Sequence, residues 1–336
     1  DKVLELSIKK KAGKLPVALP RGEPLRIGQA LATLDQPVTH IDKTHAPSVT
    51  TRPGVKLFQI CYTEETLQSI PVGFGVLDNL SNERPDWREF WPMRNYLMNH
   101  ALEDDVFYGF FSPRFSYKTA LDFEKISEFA LQHGADNDVL IFSPFWDLNS
   151  LFLNSFEQGD FFHPGLMACS QQFIQTAGHD LRLSELVMHG DNTAFCNYFI
   201  AKKKFWLHWL ELGEKLFQSA EAEDTALAHA LNQNTIYSHD LLPQKIFVQE
   251  RLVNMLLAGS EFKSKSWSMF GLPCSVTPLS QYKSQAASAN ALKMAYAKTG
   301  DALYLNEFHQ LRDKVRKDSG IDELAKARDR VLRGEG

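Results

Sequence analysis

Three short apolar runs, Val55–Tyr62, Asp105–Phe111 and Val139–Phe142, recur with helix-forming stretches between them, and this alternation limits the fold more than any other feature. Runs of that length bounded by turn residues fit strands buried on both faces of a sheet. The first is followed by Thr63-Glu64-Glu65-Thr66, an N-cap and acidic first turn for a short helix. Trp87–His100 reads as the next helix. Leu121–His133 is a third, with Leu121, Ile126, Phe129, Ala130 and Leu131 as its apolar stripe. Residues 55–142 therefore predict a β-α-β-α-β succession and a parallel, doubly wound sheet. Ligands of such sheets sit outside the carboxyl ends of the strands, which singles out Ser143, Asp147 and Asn149 after the third run.

The 336 residues, 44% hydrophobic and 23% charged, are enough for a large globular core. A net charge of -5, with Lys and Arg clustered only at the two ends, argues against nucleic acid as the main partner. Cys61, Cys169, Cys196 and Cys274 form no CxxC pair and fit the reduced thiols of a cytoplasmic protein. No apolar stretch reaches the roughly 18 residues of a transmembrane helix. The chain opens at Asp1 with Lys9-Lys10-Lys11 and no apolar stretch after it, so the expectation is an excised piece of a longer chain whose other domains are partners. Residues 1–54 read as an N-terminal arm or linker, 55–260 as the main domain, and 261–336 as an irregular segment with a helical extension.

Past the third run, Gln171–Ala177 is expected to be helical and Cys196–Ala201 a strand. Lys203–Gln218 follows as a helix whose Phe205, Trp206 and Trp209 form a core stripe. Ala220–Leu231 and Gln244–Ala258 are further helices, the latter carrying Glu250 and Arg251. Ser266–Pro278 is irregular, Ala286–Val315 a helical pair joined at Thr299-Gly300-Asp301, and the charged end from Arg316 is expected to fray.

Neither GxGxxG, GxxxxGK[ST], HExxH nor GxSxG occurs, which disfavours nicotinamide, P-loop, zinc-protease and serine-hydrolase chemistry. What remains is carboxylates, hydroxyls and cations. The polar loop Asp78–Asp86 suits ribose hydroxyls or phosphates, or is an Asx-rich turn. Arg114 and Lys118, after a strand, suit a diphosphate or are solvated loop cations.

In order, YGFFSPRFSYKT, VLIFSPFWD, HGDN, CNYFIAKKKFWLHWLELGEKLF and KIFVQERLVNMLL resemble bacterial GT-A-like glycosyltransferases of capsule and lipopolysaccharide gene clusters, over roughly residues 55–258. The resemblance implies an α/β, GT-A-like (Rossmann-like) fold: a mostly parallel central sheet flanked by helices, with a helical C-terminal part. It implies transfer of a sugar from a nucleotide-sugar donor to a saccharide or lipid-linked acceptor in cell-surface polysaccharide synthesis, in the cytoplasm at the inner face of the membrane.

Carried over by position, the donor base and ribose lie near Gln59, Tyr62, Thr63, Asp78 and Asn79, and the diphosphate near Arg84, Arg94, Arg114 and Lys118. Ser143 and Asp147 then face the donor sugar, with His163, His189 and Asn192 on the acceptor side. Glu250 or Asp191 is the carboxylate base. Such enzymes commonly carry an Asp-x-Asp metal motif at the end of an apolar strand. Here that strand ends in FSPFWD, which offers Asp147 alone, while Asp136-Asn137-Asp138 precedes the strand. A Mn or Mg divalent cation at Asp147 and a metal-independent site served by Arg and Lys therefore both stand. The missing motif and the arm-like first 54 residues also admit a catalytically inactive carbohydrate-binding or scaffolding domain of a multidomain polysaccharide assembly protein.

Overall fold

A computed structural model describes residues 54–237, 240–259 and 261–332, so the expected arm lies, apart from Gly54, outside the described residues. The main sheet takes β1 (Val55–Cys61), β2 (Phe74–Asp78), β3 (Phe107–Phe111), β4 (Val139–Ile141) and β5 (Phe199–Ala201). A separate antiparallel hairpin joins β6 (Asn234–Tyr237) to β7 (Asp240–Pro243), and β8 (Ser264–Ser266) returns to the main sheet. The order is β2-β1-β3-β5-β4-β8. All neighbours are parallel except β5, which runs antiparallel to both β3 and β4. The fold is thus mixed α/β with a six-stranded, mostly parallel sheet: the three apolar runs supply β1, β3 and β4, whereas β2 and β8 were not expected as strands.

Those runs are continuous because both faces of the sheet are covered. Phe58, Ile60, Tyr108, Phe110 and Ile141 enter one core cluster, while the alternate residues Leu57, Phe107, Phe111, Leu140 and Phe142 enter another. Over the first face pack α2 (Phe90–Asn99), α7 (Leu166–Thr176), α8 (Lys203–Glu221) and α11 (Leu252–Ala258). Trp206 of α8 is buried, and its Nε1 donates to Tyr108 O at 3.0 Å, locking helix to strand. Truncating a tryptophan so placed costs about 3–5 kcal/mol. The second face is closed by α3 (Phe115–Thr119) and α4 (Phe123–His133), the latter capped by Asp122, which accepts Lys125 N at 2.9 Å.

Several boundaries differ from the sequence expectation, each for a local reason. The helix expected from Trp87 begins at Phe90, because Arg88 adopts a left-handed φ of 45°. The strand expected from Cys196 begins at Phe199, because Cys196 and Asn197 are left-handed, with φ 58° and 56°. Residues 112–119, expected as loop, contain α3, and the span after Val139–Phe142 is three helices: α5 (Trp146–Leu151), α6 (Ser155–Phe162) and α7. Ala220–Leu231 divides: α8 runs on to Glu221, and α9 (Ala226–Asn232) restarts on the Thr225 cap. Gln244–Ala258 divides into α10 (Gln244–Gln249) and α11, leaving Glu250 and Arg251 at the break.

The C-terminal pair, α12 (Lys283–Thr299) and α13 (Ala302–Ser319), turns at Gly300, whose φ of 70° suits glycine, as expected. The charged end does not fray at Arg316. Its guanidinium binds Asp322 at 2.6 Å, Ile321 is buried, and α14 (Ile321–Leu332) follows. The pair docks on α5 through the buried Lys293, whose Nζ donates to Asn149 O and Phe152 O at 2.7 Å each, and burial draws its proton affinity down to about 7. Among the described residues no helix is long and apolar enough to cross a membrane.

Candidate functional site

The chain passes from β1 to β2 on one side and then to β3 on the other, so the winding reverses at β1. Ligand crevices open outside the carboxyl ends of the strands at such a reversal. Tyr62 follows β1 there and Ser112 follows β3. Because β5 runs antiparallel, its entry, Thr193–Tyr198, reaches the same edge. That segment is pinned from behind. Ser143 Oγ donates to Thr193 O (3.0 Å) and accepts Phe195 N (2.8 Å), while Asn254 of α11 accepts Ala194 N (2.8 Å) and donates to Ala194 O (2.9 Å). Tyr198 Oη meets Ser112 Oγ at 2.9 Å. Held this way, Cys196 and Asn197 keep the left-handed backbone, at roughly 1 kcal/mol or more for the cysteine.

Around this edge converge charges that the sequence scatters widely. Arg88 and Glu89 arrive at the start of α2, Lys118 from α3, and Glu250 from the break between α10 and α11. Asn197 Nδ2 donates to a Glu89 carboxylate oxygen at 3.4 Å, and among the described residues Asn197 Oδ1, though buried, has no partner. Lys118 Nζ lies 3.5 Å from Cys196 Sγ and over the rings of Tyr198 and Phe145.

Burial pushes the Glu89 carboxyl up to about 7, and the charge of Glu250 adds to the rise against Asn197, Lys118 and Arg88. Burial also raises Glu250, opposed by Arg251, Lys118 and Arg88. For Lys118 burial disfavours the charge, but Cys196, Tyr237 and Glu250 together hold it protonated above its ordinary range. The Cys196 thiol is pushed up to about 11 by burial, which keeps it neutral. Glu250 nevertheless leaves 31% of its side chain open to solvent, and Arg88 and Arg114 are exposed. The edge therefore offers Glu250, open to solvent, and the half-buried Glu89, both of raised proton affinity, beside a lysine cation.

Of the residues singled out in the sequence, Tyr62, Lys118 and Glu250 meet here, and Arg114 joins them through its influence on Tyr237. Others are committed to the scaffold. Gln59 Nε2 donates to Thr66 O at 2.9 Å, Thr63 caps α1 (Glu64–Gln68), and Asp78 accepts Leu80 N at 2.9 Å. Asn79 is buried, its N–H on Cys61 O at 2.9 Å. Arg84 forks onto Asp86 and reaches Glu221, and Arg94 forks onto Glu214, so two of the three guanidiniums expected at a diphosphate already hold carboxylates.

Ser143 lies behind the β5 entry, as described. Asp147 is fully buried, with one oxygen on Ser275 N at 2.8 Å and the other on Ser275 Oγ. With both oxygens taken by Ser275, Asp147 does not fit a divalent cation. Among the described residues no three His, Cys, Asp or Glu side chains converge as a metal site. Asp191 accepts Lys265 Nζ (3.2 Å) and Ser266 N (3.1 Å), which ties the turn Gly190–Asn192 to β8. His189 and Asn192 close that turn, Asn192 Oδ1 accepting His189 N at 2.7 Å. His163 stacks on Phe247 (3.8 Å) and contacts Ile236 O (2.6 Å), fastening the hairpin.

Neither Glu89 nor Asn197 stands out in the sequence, while Arg88 reads there only as a guanidinium on the helix from Trp87 and Cys196 only as a reduced thiol opening a strand. Glu89 reads as a polar position inside a helix. The signal against that was Pro92, which fits only the first turn and so places the helix start, and Glu89 with it, at the strand edge. A shallow cavity of about 430 Å³ elsewhere is lined by Asp160, Gly165, Met167 and Gln171. Its carboxylate, Asp160, is occupied by Gly165 N and Met167 N. No family model, curated protein or solved structure matches the chain.

Proposed function

We propose that the chain is a glycosyltransferase of GT-A-like form, moving a sugar from a nucleotide-sugar donor to a hydroxyl of a saccharide or lipid-linked acceptor in cell-surface polysaccharide synthesis. The observation that carries the reading is the grouping of Glu89, Glu250 and Lys118 at the reversal point of a mostly parallel sheet. Sugar transfer needs a base for the acceptor hydroxyl and positive charge for the departing nucleoside diphosphate. The carboxylates supply the first. Lys118, with the exposed Arg88 and Arg114, supplies the second, and Tyr62 at the end of β1 offers a ring to the nucleobase. On this reading the protein works at the cytoplasmic face of the membrane, alongside other domains of a longer chain. Losing one well-placed cation costs a few kcal/mol of transition-state stabilisation.

Nucleoside diphosphates at millimolar concentration are expected to raise the melting temperature of the wild type, by an amount equivalent to about 2.7 kcal/mol at 100 times Kd. Lys118→Met is expected to abolish that rise. No stabilisation of the wild type by any common nucleoside diphosphate would contradict the reading.

A further inference from the structure

The site holds two carboxylates where a single base suffices, and their surroundings differ. Glu250 has a fixed cation beside it: Arg251 Nη1 lies 3.8 Å from its carboxylate. That guanidinium is itself buried and anchored on Phe247 O (2.8 Å), Ser155 O (3.0 Å) and Gln158 Oε1 (3.3 Å), so it stays charged and in place. Among the described residues, the hydrogen bond Glu89 receives is from the neutral amide of Asn197. With Glu89 ionised the amide presents its Nδ2, since the reverse would set its oxygen against the carboxylate. Arg88, which precedes Glu89, and Asn197 are both in left-handed backbone, so the Glu89–Asn197 contact joins two segments that each carry backbone strain.

We infer that Glu89, not Glu250, receives the acceptor proton, and that Glu250 acts on the reaction through Glu89. The inference rests on the glycosyltransferase reading and assigns the roles within it. The acceptor oxygen forms its bond to the sugar C1 as its O–H bond breaks, and the proton passes to a Glu89 oxygen. The C1–O bond to the diphosphate breaks in the same step, and its electron pair leaves on the nucleoside diphosphate, beside Lys118. When Glu250 is ionised, its charge disfavours a second negative charge on Glu89 and so makes Glu89 a better proton acceptor.

Glu89 is faced by Glu250 beyond α10, by Lys118 of α3, by Arg88 of its own turn, by Tyr62 after β1, and by Cys196, Asn197 and Tyr198 at the β5 entry. Among these, the remaining cations and the amide favour the ionised form, so Glu250 is the group whose removal should move Glu89 toward ordinary carboxylate behaviour. Glu250 is then a positioning and tuning residue and Glu89 the catalytic one.

The test measures turnover of a panel of nucleotide sugars against pH for the wild type, Glu89→Gln and Glu250→Gln, with carboxyl-carbon NMR titration of Glu89 in the wild type and Glu250→Gln. Glu89→Gln is expected to lose about 100-fold or more in kcat while keeping its stabilisation by nucleoside diphosphate. Glu250→Gln is expected to retain more activity, with the acid limb of its pH profile and the Glu89 titration moved about one pH unit lower. Full activity in Glu89→Gln, or a Glu89 titration unmoved by Glu250→Gln, overturns the assignment in an enzyme that still turns over. A wild type that neither binds nucleoside diphosphates nor consumes any donor overturns the glycosyltransferase reading itself, and the assignment with it.

Discussion

Asp86 and Glu89 leave the same turn, and the fold treats their carboxylates in opposite ways. Asp86 receives both Arg84 Nε and Nη2 at 2.9 Å and Lys245 Nζ at 2.7 Å, and the Arg84 fork, with Lys245, holds it down at about 2. Glu89 is pushed up to about 7 by burial and by the like charge of Glu250, with one long amide contact to oppose them. Trp87 stands between them, buried, its Nε1 on Glu221 at 3.1 Å and its ring under Lys245. On the Asp86 side the charges answer one another and fasten α2 to α8 and α10. On the Glu89 side they are left short of partners, which is the condition under which a group can exchange protons with a ligand. Charge alone does not mark a site; unanswered charge does.

The contrast can be broken from either side. The largest effect expected is from Asp86→Ala, which strips the near partner from Lys245, a lysine with only 4% of its side chain exposed. The cost should be about 3 kcal/mol in urea unfolding, whereas Lys245→Met should be close to neutral. Asp86 also sets an acid dependence. Its folded proton affinity is depressed, so its contribution is present above its ordinary value of 3.8 and fades as pH falls toward about 2, a component that Asp86→Ala should remove.

Glu89→Gln carries the opposite sign. The folded state binds that proton more tightly than the unfolded, so Glu89 costs stability as pH rises from its ordinary 4.5 through about 7. The neutral amide escapes that loss. Melting at pH 8 should therefore favour Glu89→Gln by about 2 kcal/mol, allowing for solvent at the cleft, with no advantage at pH 4. A variant that loses turnover while gaining stability separates a catalytic carboxylate from a structural one.

Smaller effects should sharpen the boundary. Asp191→Asn weakens the hold on Lys265 and Ser266 and should cost about 1 kcal/mol while leaving nucleotide stabilisation intact. Arg94→Ala removes a partly exposed pair with Glu214 and the stacking on Phe217, at about 1 kcal/mol or less, again without effect on nucleotide binding.

Strands β1, β3 and β4 were legible because burial on two faces writes itself as unbroken apolar runs, and VKLFQICY and VLIF required no further context, whereas β2 and the polar β8 carry no such run. Lys118 was legible as a cation after a strand, and Glu250 as a carboxylate, though expected inside a continuous helix that in fact breaks at it. Two things were not. The antiparallel course of β5 depends on tertiary pairing, and it alone brings Cys196 and Asn197 to the carboxyl edge. The occupancy of each charge is also invisible in sequence. Arg84, Arg94, Asp147 and Asp191 look as available as Lys118 until Asp86, Glu214, Ser275 and Lys265 are seen to hold them, each from a distant or newly turned segment. Glu89 shows the converse, a residue that looks solvated on a helix and is instead exposed to the charge of a carboxylate 161 positions away in sequence.

The most direct measurement is a crystal structure with a nucleotide sugar bound. The expected result puts the diphosphate against Lys118 and the sugar between it and the Glu89–Glu250 pair. A diphosphate displacing the carboxylates from Arg84 and Arg94, or a sugar bound away from Glu89 and Glu250, would contradict the account.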